Sequence, residues 1–216
     1  MKIAILTFHD SLYLPLAQLS LPNKKKYAQK NSYDLFVKED GFGNHFGWEK
    51  IRSFIELIKR NEYDWIFWLG ADAIITNFNI KLESIIDNNF HFIMATDSHG
   101  INSDSMLVRC SPESLAFFEE MILPKPEYLN HVEFEQGVMR DLLHSSFPHL
   151  VKYVSQKTMN SYLYDYYIHM DEYKERKDKF GNPGDWTEGD FVIHFPGITL
   201  YEKFKNCIIY VEKVIL

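Results

Sequence analysis

The sequence predicts an α/β sandwich built on a mainly parallel sheet, and three observations carry that prediction. Short, strongly apolar runs such as Lys2 to Phe8 and Asp64 to Leu69 read as strands covered on both faces. Trp48 to Arg60 places Ile51, Phe54, Ile55 and Ile58 at helical spacing, one stripe for packing on a sheet. Strand-like and helix-like segments alternate along the chain, the pattern of a layered α/β fold.

The elements follow in order. After the Lys2 to Phe8 strand, Leu14 to Asn31 reads as a helix that Pro22 breaks or restarts. Asp34 to Val37 is a second short strand, and Lys38 to Gly47 (KEDGFGNHFG) a glycine-rich loop. The Trp48 to Arg60 helix leads into the strand ending at Leu69, with a turn beginning near Asn77 and Asn79. Leu82 to Asp87 reads as a short helix, His91 to Thr96 and Ser105 to Val108 as strands. Ser111-Pro112 starts a helix through Met121, with Ser as the N-cap and Pro as its first residue. Glu133 to Leu143 is a helix, Lys152 to Val154 a strand, and Tyr164 to Asp185 a polar, Tyr-rich loop. Phe191 to His194 is a last buried strand, followed by a helix near Thr199 to Lys205 and an apolar tail, Cys207 to Leu216.

A chain of 216 residues without a Pro- or Ser-rich linker fits one domain spanning residues 1–216. A net charge of −7 excludes the basic face that a nucleic-acid binder presents. Its one basic cluster, Lys24, Lys25, Lys26 and Lys30, reads as a solvated helix face. Two cysteines, Cys110 and Cys207, are too few for a disulfide framework or a CxxC metal site, which suits a reduced cytoplasmic setting. The N-terminus MKIAILTFHD reads as a strand rather than a signal peptide, and no stretch approaches the roughly 20 apolar residues of a membrane span. There is no Walker loop, GxGxxG or GxSxG elbow.

Two strand ends could carry chemistry. In WIFWLGADA an apolar strand stops abruptly at Gly70, Ala71 and Asp72. At the carboxyl rim of a parallel sheet, where ligands bind, Asp72 either caps a turn or bridges a hard divalent cation to a diphosphate. In DFVIHFPG, His194 ends a buried strand, and Gly197 would let backbone approach a ligand closely. His194 is either a core residue or, together with Asp72, half of a Mn²⁺ or Mg²⁺ site.

Segments spread over most of the chain resemble glycosyltransferase family 34, retaining galactosyl-, xylosyl- and mannosyltransferases of GT-A fold. Asn23-Lys24 with Tyr27-Ala28 is similar to its NK..YA segment, and Trp48-Glu49-Lys50-Ile51 to its W.KI helix start. WIFWLGADA resembles WIWWMDSDA, and INSDSMLVR at 101–109 resembles LNTGSFLIR. Glu135-Gln136-Gly137 falls where the family has DQS; Gln156-Lys157 with Asn160-Ser161-Tyr162 is similar to PQR..NSY, and GDFVIHFPG at 189–197 to GDFVVHFAG. All seven occur in the family's order.

The resemblance implies a GT-A-like, Rossmann-type sandwich that transfers a sugar from a nucleoside-diphosphate donor to a carbohydrate or other hydroxyl acceptor, with retention. It implies Mn²⁺ or Mg²⁺ held by Asp72 and His194, with Gly70, Ala71 and Gly197 against the diphosphate and Lys50 or Lys203 as a helping cation. Thr7, Phe8 and Tyr27 would line the nucleotide pocket, Asn102 and Gln136 would hold the donor sugar, and Glu135 would be the nucleophile if a covalent intermediate forms. Tyr162, Tyr164, Tyr166, Tyr167 and Trp186 offer an acceptor platform or plain packing, and the segment from Gly41 to Gly47 a lid. Two departures stand out. Gly70 replaces the first Asp of the family's Asp-x-Asp motif, and Asp104 replaces a family Gly. A degenerate domain that binds a nucleotide sugar or glycan without turnover is therefore the alternative expectation. The family's N-terminal membrane anchor is missing from the sequence, which suggests a bacterial or viral enzyme.

Overall fold

The computed structural model describes residues 1–39, 46–167 and 169–216. Most of the proposed lid, residues 41–45 of 41–47, lies outside the described residues. One six-stranded sheet organises the rest. Its strands are β1 (Ile3–His9), β2 (Asp34–Glu39), β3 (Trp65–Leu69), β5 (Phe92–Asp97), β6 (Gly100–Arg109) and β7 (Val151–Val154), in the order β2-β1-β3-β6-β5-β7. Five run the same way, and β6 alone is antiparallel to both its neighbours, β3 and β5. The mainly parallel sheet expected from the sequence is present.

Every residue of β1 and β3 is buried because both faces of the sheet are covered. On one face lie α2 (Phe46–Lys59), α3 (Pro112–Met121) and α5 (Phe134–Ser145). Their Ile51, Phe54, Phe118 and Met139 pack against Leu6, Trp68 and Met106 of the strands. On the other, Tyr27 and Ala28 of α1 (Leu14–Asn31) meet Ile5, Phe67 and Leu107. α3 starts as expected, the Ser111 side chain accepting from Ser114 N with Pro112 in the first turn.

Some local expectations change. Pro22 sits inside an unbroken α1, because the residues that follow it are tied down from outside the helix. Asn23 accepts from Ile75 N and donates to Ile75 O, each at 2.9 Å, and Lys24 Nζ donates to Ala73 O at 2.9 Å. Lys24 is therefore fully buried rather than part of a solvated face, and burial pushes its ammonium down to about 8. Lys25, Lys26 and Lys30 are the exposed ones. The strand these contacts hold, β4 (Ala73–Ile75), has no distinct sequence signal; it pairs antiparallel with β8 (Val192–His194) in a second, two-stranded sheet. Leu82–Ser84 is a single 3-10 turn. The final helix, α6 (Leu200–Val211), takes in the first half of the expected apolar tail and starts with a Thr199–Glu202 capping box. A four-residue helix, α4 (Pro126–Leu129), precedes α5.

Candidate functional site

The carboxyl ends of β1 and β3 open where the order turns from β1 to β2 on one side and to β3 on the other, the usual crevice of such a sheet. A cleft of about 200 Å³ lies there, bounded by Phe8, Gly70 to Asp72, Asp104, Gly197 and Lys203. Three separate chain regions meet. The β3–β4 turn brings Asp72, β8 brings His194, and α6 brings Lys203. Register explains the first pair, since Ala73 lies opposite His194 in the small sheet.

Asp72 is buried and uses both oxygens. Its Oδ2 lies 2.5 Å from Lys203 Nζ, and its Oδ1 is 3.3 Å from His194 Nε2. Burial alone would raise the carboxyl, but the Lys203 ammonium outweighs it and holds Asp72 well below the usual carboxylate range. Burial likewise opposes the Lys203 charge, and Asp72 holds that ammonium above its ordinary value.

His194 is 0 % exposed, and its ring orientation is defined from behind. Asn160 donates through Nδ2 to Tyr162 Oη (3.1 Å), which donates in turn to Asp97 Oδ2 (2.8 Å). The Asn160 carbonyl therefore faces His194 and accepts from Nδ1 at 2.9 Å. That leaves Nε2 as the lone-pair nitrogen, and this buried atom has no hydrogen-bond partner among the described residues. A histidine fixed by a carbonyl on one nitrogen, with the other free, is how proteins prepare a metal ligand. Asp72, Asp104 and His194 each offer a ligand atom within 4.8 Å of the others, so the donor set can hold a divalent cation.

A second charged cluster lies behind the first. Lys50 is 1 % exposed, and its Nζ donates to Ser103 O (3.1 Å), Ser103 Oγ (2.8 Å) and Asp104 Oδ1 (3.3 Å) and pairs with Glu135 Oε1 (2.9 Å). Burial would lower the Lys50 ammonium, but Glu135 and Asp104 hold it up. Lys50 is thus closed into an internal ion pair and does not line the cleft, unlike the helping cation expected from the sequence. Glu135 is buried in the same pair rather than presented as a nucleophile. Gln136 Oε1 accepts from Ser103 N at 2.9 Å. With Asn102 it lines an adjoining depression that also includes Asp97, Tyr162 and Pro196.

Of the residues expected at the nucleotide pocket, Phe8 borders the cleft, but Thr7 and Tyr27 do not. Tyr27 is a core residue: its ring packs against Phe78 and Phe191, and its hydroxyl donates to Ile80 O at 2.8 Å. It belongs to the inner face of α1. Thr7 is buried within β1. The tyrosine platform is also mostly core, with Tyr162 and Tyr164 at most 1 % exposed, and Trp186 packs edge-on against Tyr210 instead. Tyr166 and Tyr167 do line a shallow groove with Tyr173 and Glu202. His9, Asp10, Tyr13 and Trp68 border the cleft without having been singled out in the sequence. His9 ends β1 and Asp10 directly follows it, which was the available signal.

Comparison with known proteins agrees with the motifs. The model of the galactosyl transferase GMA12/MNN10 family, glycosyltransferase family 34, matches residues 7–90 and 86–205. An alpha-1,2-galactosyltransferase of Schizosaccharomyces pombe is 24% identical over 89% of this chain and 58% of its own length. A probable alpha-1,2-galactosyltransferase of the same yeast, gmh1, is 22% identical over 87% of this chain and 67% of its own. These relatives are fungal, so they lend no support to a bacterial or viral origin; the chain spans under three-fifths of the first one's length. Among solved structures, a glycosyltransferase involved in the glycosylation of the major capsid of PBCV-1 superposes with a TM-score of 0.72 at 16% identity, over 97% of this chain and 100% of its own. The galactosyltransferase LgtC, solved with donor and acceptor sugar analogs, gives 0.57 at 13% identity, over 99% and 96%. Both likenesses show the fold, GT-A. No helix among the described residues is long and apolar enough to cross a membrane. With the family pattern running from residue 7 to residue 205, this chain belongs to the galactosyl transferase GMA12/MNN10 family of glycosyltransferases.

Proposed function

We propose that residues 1–216 form one catalytic domain, a retaining transferase that moves a hexose or pentose from a nucleoside-diphosphate sugar to a glycan or other hydroxyl acceptor. The observation that carries this reading is the buried, unpartnered Nε2 of His194, 3.3 Å from Asp72 at the rim of the cleft. Mn²⁺ or Mg²⁺ on Asp72 and His194 would act as a Lewis acid toward the departing diphosphate. Lys203 adds a second positive charge at the same rim and, when phosphate arrives, can exchange its bond to Asp72 for one to the leaving group. Phe8 and the backbone at Gly70, Ala71 and Gly197 shape the diphosphate and nucleotide end. Asn102 and Gln136 border the adjoining depression, where a donor sugar continuing from the diphosphate would lie.

The names of the yeast relatives favour galactose as the sugar. The free thiols of Cys110 and Cys207 support a reducing, cytoplasmic setting. A second reading is favoured by one observation, Gly70: a binding domain that holds the donor without turnover. Incubation with a panel of nucleotide sugars and Mn²⁺ separates the two. Release of nucleoside diphosphate, lost in Asp72→Asn, is expected. Nucleotide binding with no release from any donor would leave the binding domain standing.

A further inference from the structure

Gly70 and Asp104 face each other across the β3–β6 pair. The register runs Trp68 to Met106 and Leu69 to Ser105, and Gly70 N donates to Asp104 O at 2.9 Å. Side chains at directly opposed positions of an antiparallel pair emerge on the same face, about 5 Å apart. A side chain at position 70 would thus start in the space that the Asp104 side chain already borders. A Cβ built there lies 3.5 Å from Asp104 Cβ and 2.9 Å from Asp72 Oδ1. The family pattern carries Asp at the first of these positions and Gly at the second, and this chain carries the reverse.

We propose that the carboxylate missing from position 70 is supplied from the neighbouring strand by Asp104, which completes a three-ligand divalent-cation site with Asp72 and His194. The inference rests on the metal-dependent reading above. Asp104 is held for this task from one side: its Oδ1 accepts from Lys50 Nζ (3.3 Å) and Trp68 Nε1 (3.4 Å), and its own amide donates to Asn102 Oδ1 (2.9 Å). No hydrogen bond engages Oδ2 among the described residues. The 3.5 Å approach to Asp104 Cβ puts the two side chains in the same space. An aspartate at 70 would ask Asp72 Oδ1 to shift in either case, and with Asp104 in place it would also add a third negative charge to the same few ångströms. The exchange keeps the acidic count of the motif while changing the strand that delivers it.

The test is titration of the full chain with Mn²⁺, followed by electron paramagnetic resonance of the free ion, with and without inorganic pyrophosphate as a base-independent diphosphate. Asp104→Asn changes one charge at a partly exposed position and keeps the shape. Ligand charge count sets affinity for hard cations, so this variant is expected to weaken Mn²⁺ binding by at least about tenfold. Gly70→Asp with Asp104→Gly, which moves the carboxylate back, is expected to return affinity to within roughly threefold of the parent on the same ground. If Asp104→Asn binds as the parent does while Asp72→Asn does not bind, Asp104 is no ligand and the metal-dependent reading survives without it. If Asp104→Asn loses affinity and the double variant does not recover it, the exchange is wrong. A parent that binds no Mn²⁺ even with pyrophosphate overturns the metal-dependent reading itself and this inference with it.

Discussion

Two buried charge clusters lie near one another at the top of the sheet, and they are built to opposite ends. Around Lys50, the ammonium is closed in: it meets Ser103, Asp104 and Glu135, of which only Asp104 also borders the cleft, and the lysine is 1 % exposed. Around Asp72, the cluster is left open. Asp72 and Lys203 border the cleft, and His194 keeps one nitrogen without a hydrogen bond. Leaving a buried polar atom unsatisfied costs roughly 1–3 kcal/mol, and only this one among the described residues lies beside the Asp72 carboxylate at the cleft. The difference teaches that burial and charge alone do not mark a site; a buried ligand atom left without a partner beside cleft-lining carboxylates does.

Asp72→Asn should break the contrast most severely. It removes a proposed metal ligand and leaves the Lys203 ammonium buried without its partner. Transfer should fall by about a hundredfold or more, the scale seen when a preorganised electrostatic group is lost. Stability should fall by about 3–5 kcal/mol, as when one half of a buried pair is removed. Donor turnover and urea unfolding measure the two effects separately. An unchanged unfolding midpoint would mean that Lys203 escapes to solvent.

Glu135→Gln tests the closed cluster. Lys50 would keep Asp104 but lose its 2.9 Å partner, so stability should drop by about 3 kcal/mol, the lower end for a broken buried pair. Mn²⁺ affinity should change far less than in Asp72→Asn. Equal loss of affinity in both variants would show that the clusters act as one.

Asn160→Ala probes the support behind His194. Without the carbonyl at 2.9 Å, the imidazole is no longer held with Nε2 as the lone-pair nitrogen. Mn²⁺ affinity should weaken about 10- to 100-fold, the usual cost of losing an outer-shell partner. Unaltered binding would assign the Asn160–Tyr162–Asp97 chain a packing role only.

The smallest expected effect is on pH dependence. The Asp72 carboxyl in the folded chain lies below its ordinary value of 3.8, so the unfolded chain binds its proton first as pH falls. The stability it contributes is complete above about pH 5 and declines as pH drops through and below 3.8. Urea midpoints measured from neutral to acid pH should therefore fall less steeply in Asp72→Asn than in the parent. Parallel curves would show that Lys203 does not hold the carboxylate charged.

The strands β1 and β3, the amphipathic helix α2 and the Ser-Pro start of α3 were legible because each is specified by neighbours within a few residues. Asp72 and His194 were legible as two strand ends, although nothing local required them to meet. Tyr27 and Thr7 misled because a buried residue next to a pocket and a buried residue in a core have the same local pattern. Lys24 misled in the opposite direction: its neighbours Lys25 and Lys26 are solvated, and only the carbonyl of Ala73, 49 positions along the chain, shows why it is not. The strand β4 escaped for the same reason, since three apolar residues become a strand only through their partner β8.

By itself the sequence determined the alternation of elements, the layered α/β class and, through seven ordered segments, the glycosyltransferase family. These follow from hydrophobic period and residue type, which act over short spans of chain. Only the tertiary structure decided that Lys50 and Glu135 close on each other, that His194 presents Nε2 to Asp72, and that Asp104 stands opposite Gly70. The first depends on which helix faces meet, and the other two on strand register, which a one-residue slip would reverse.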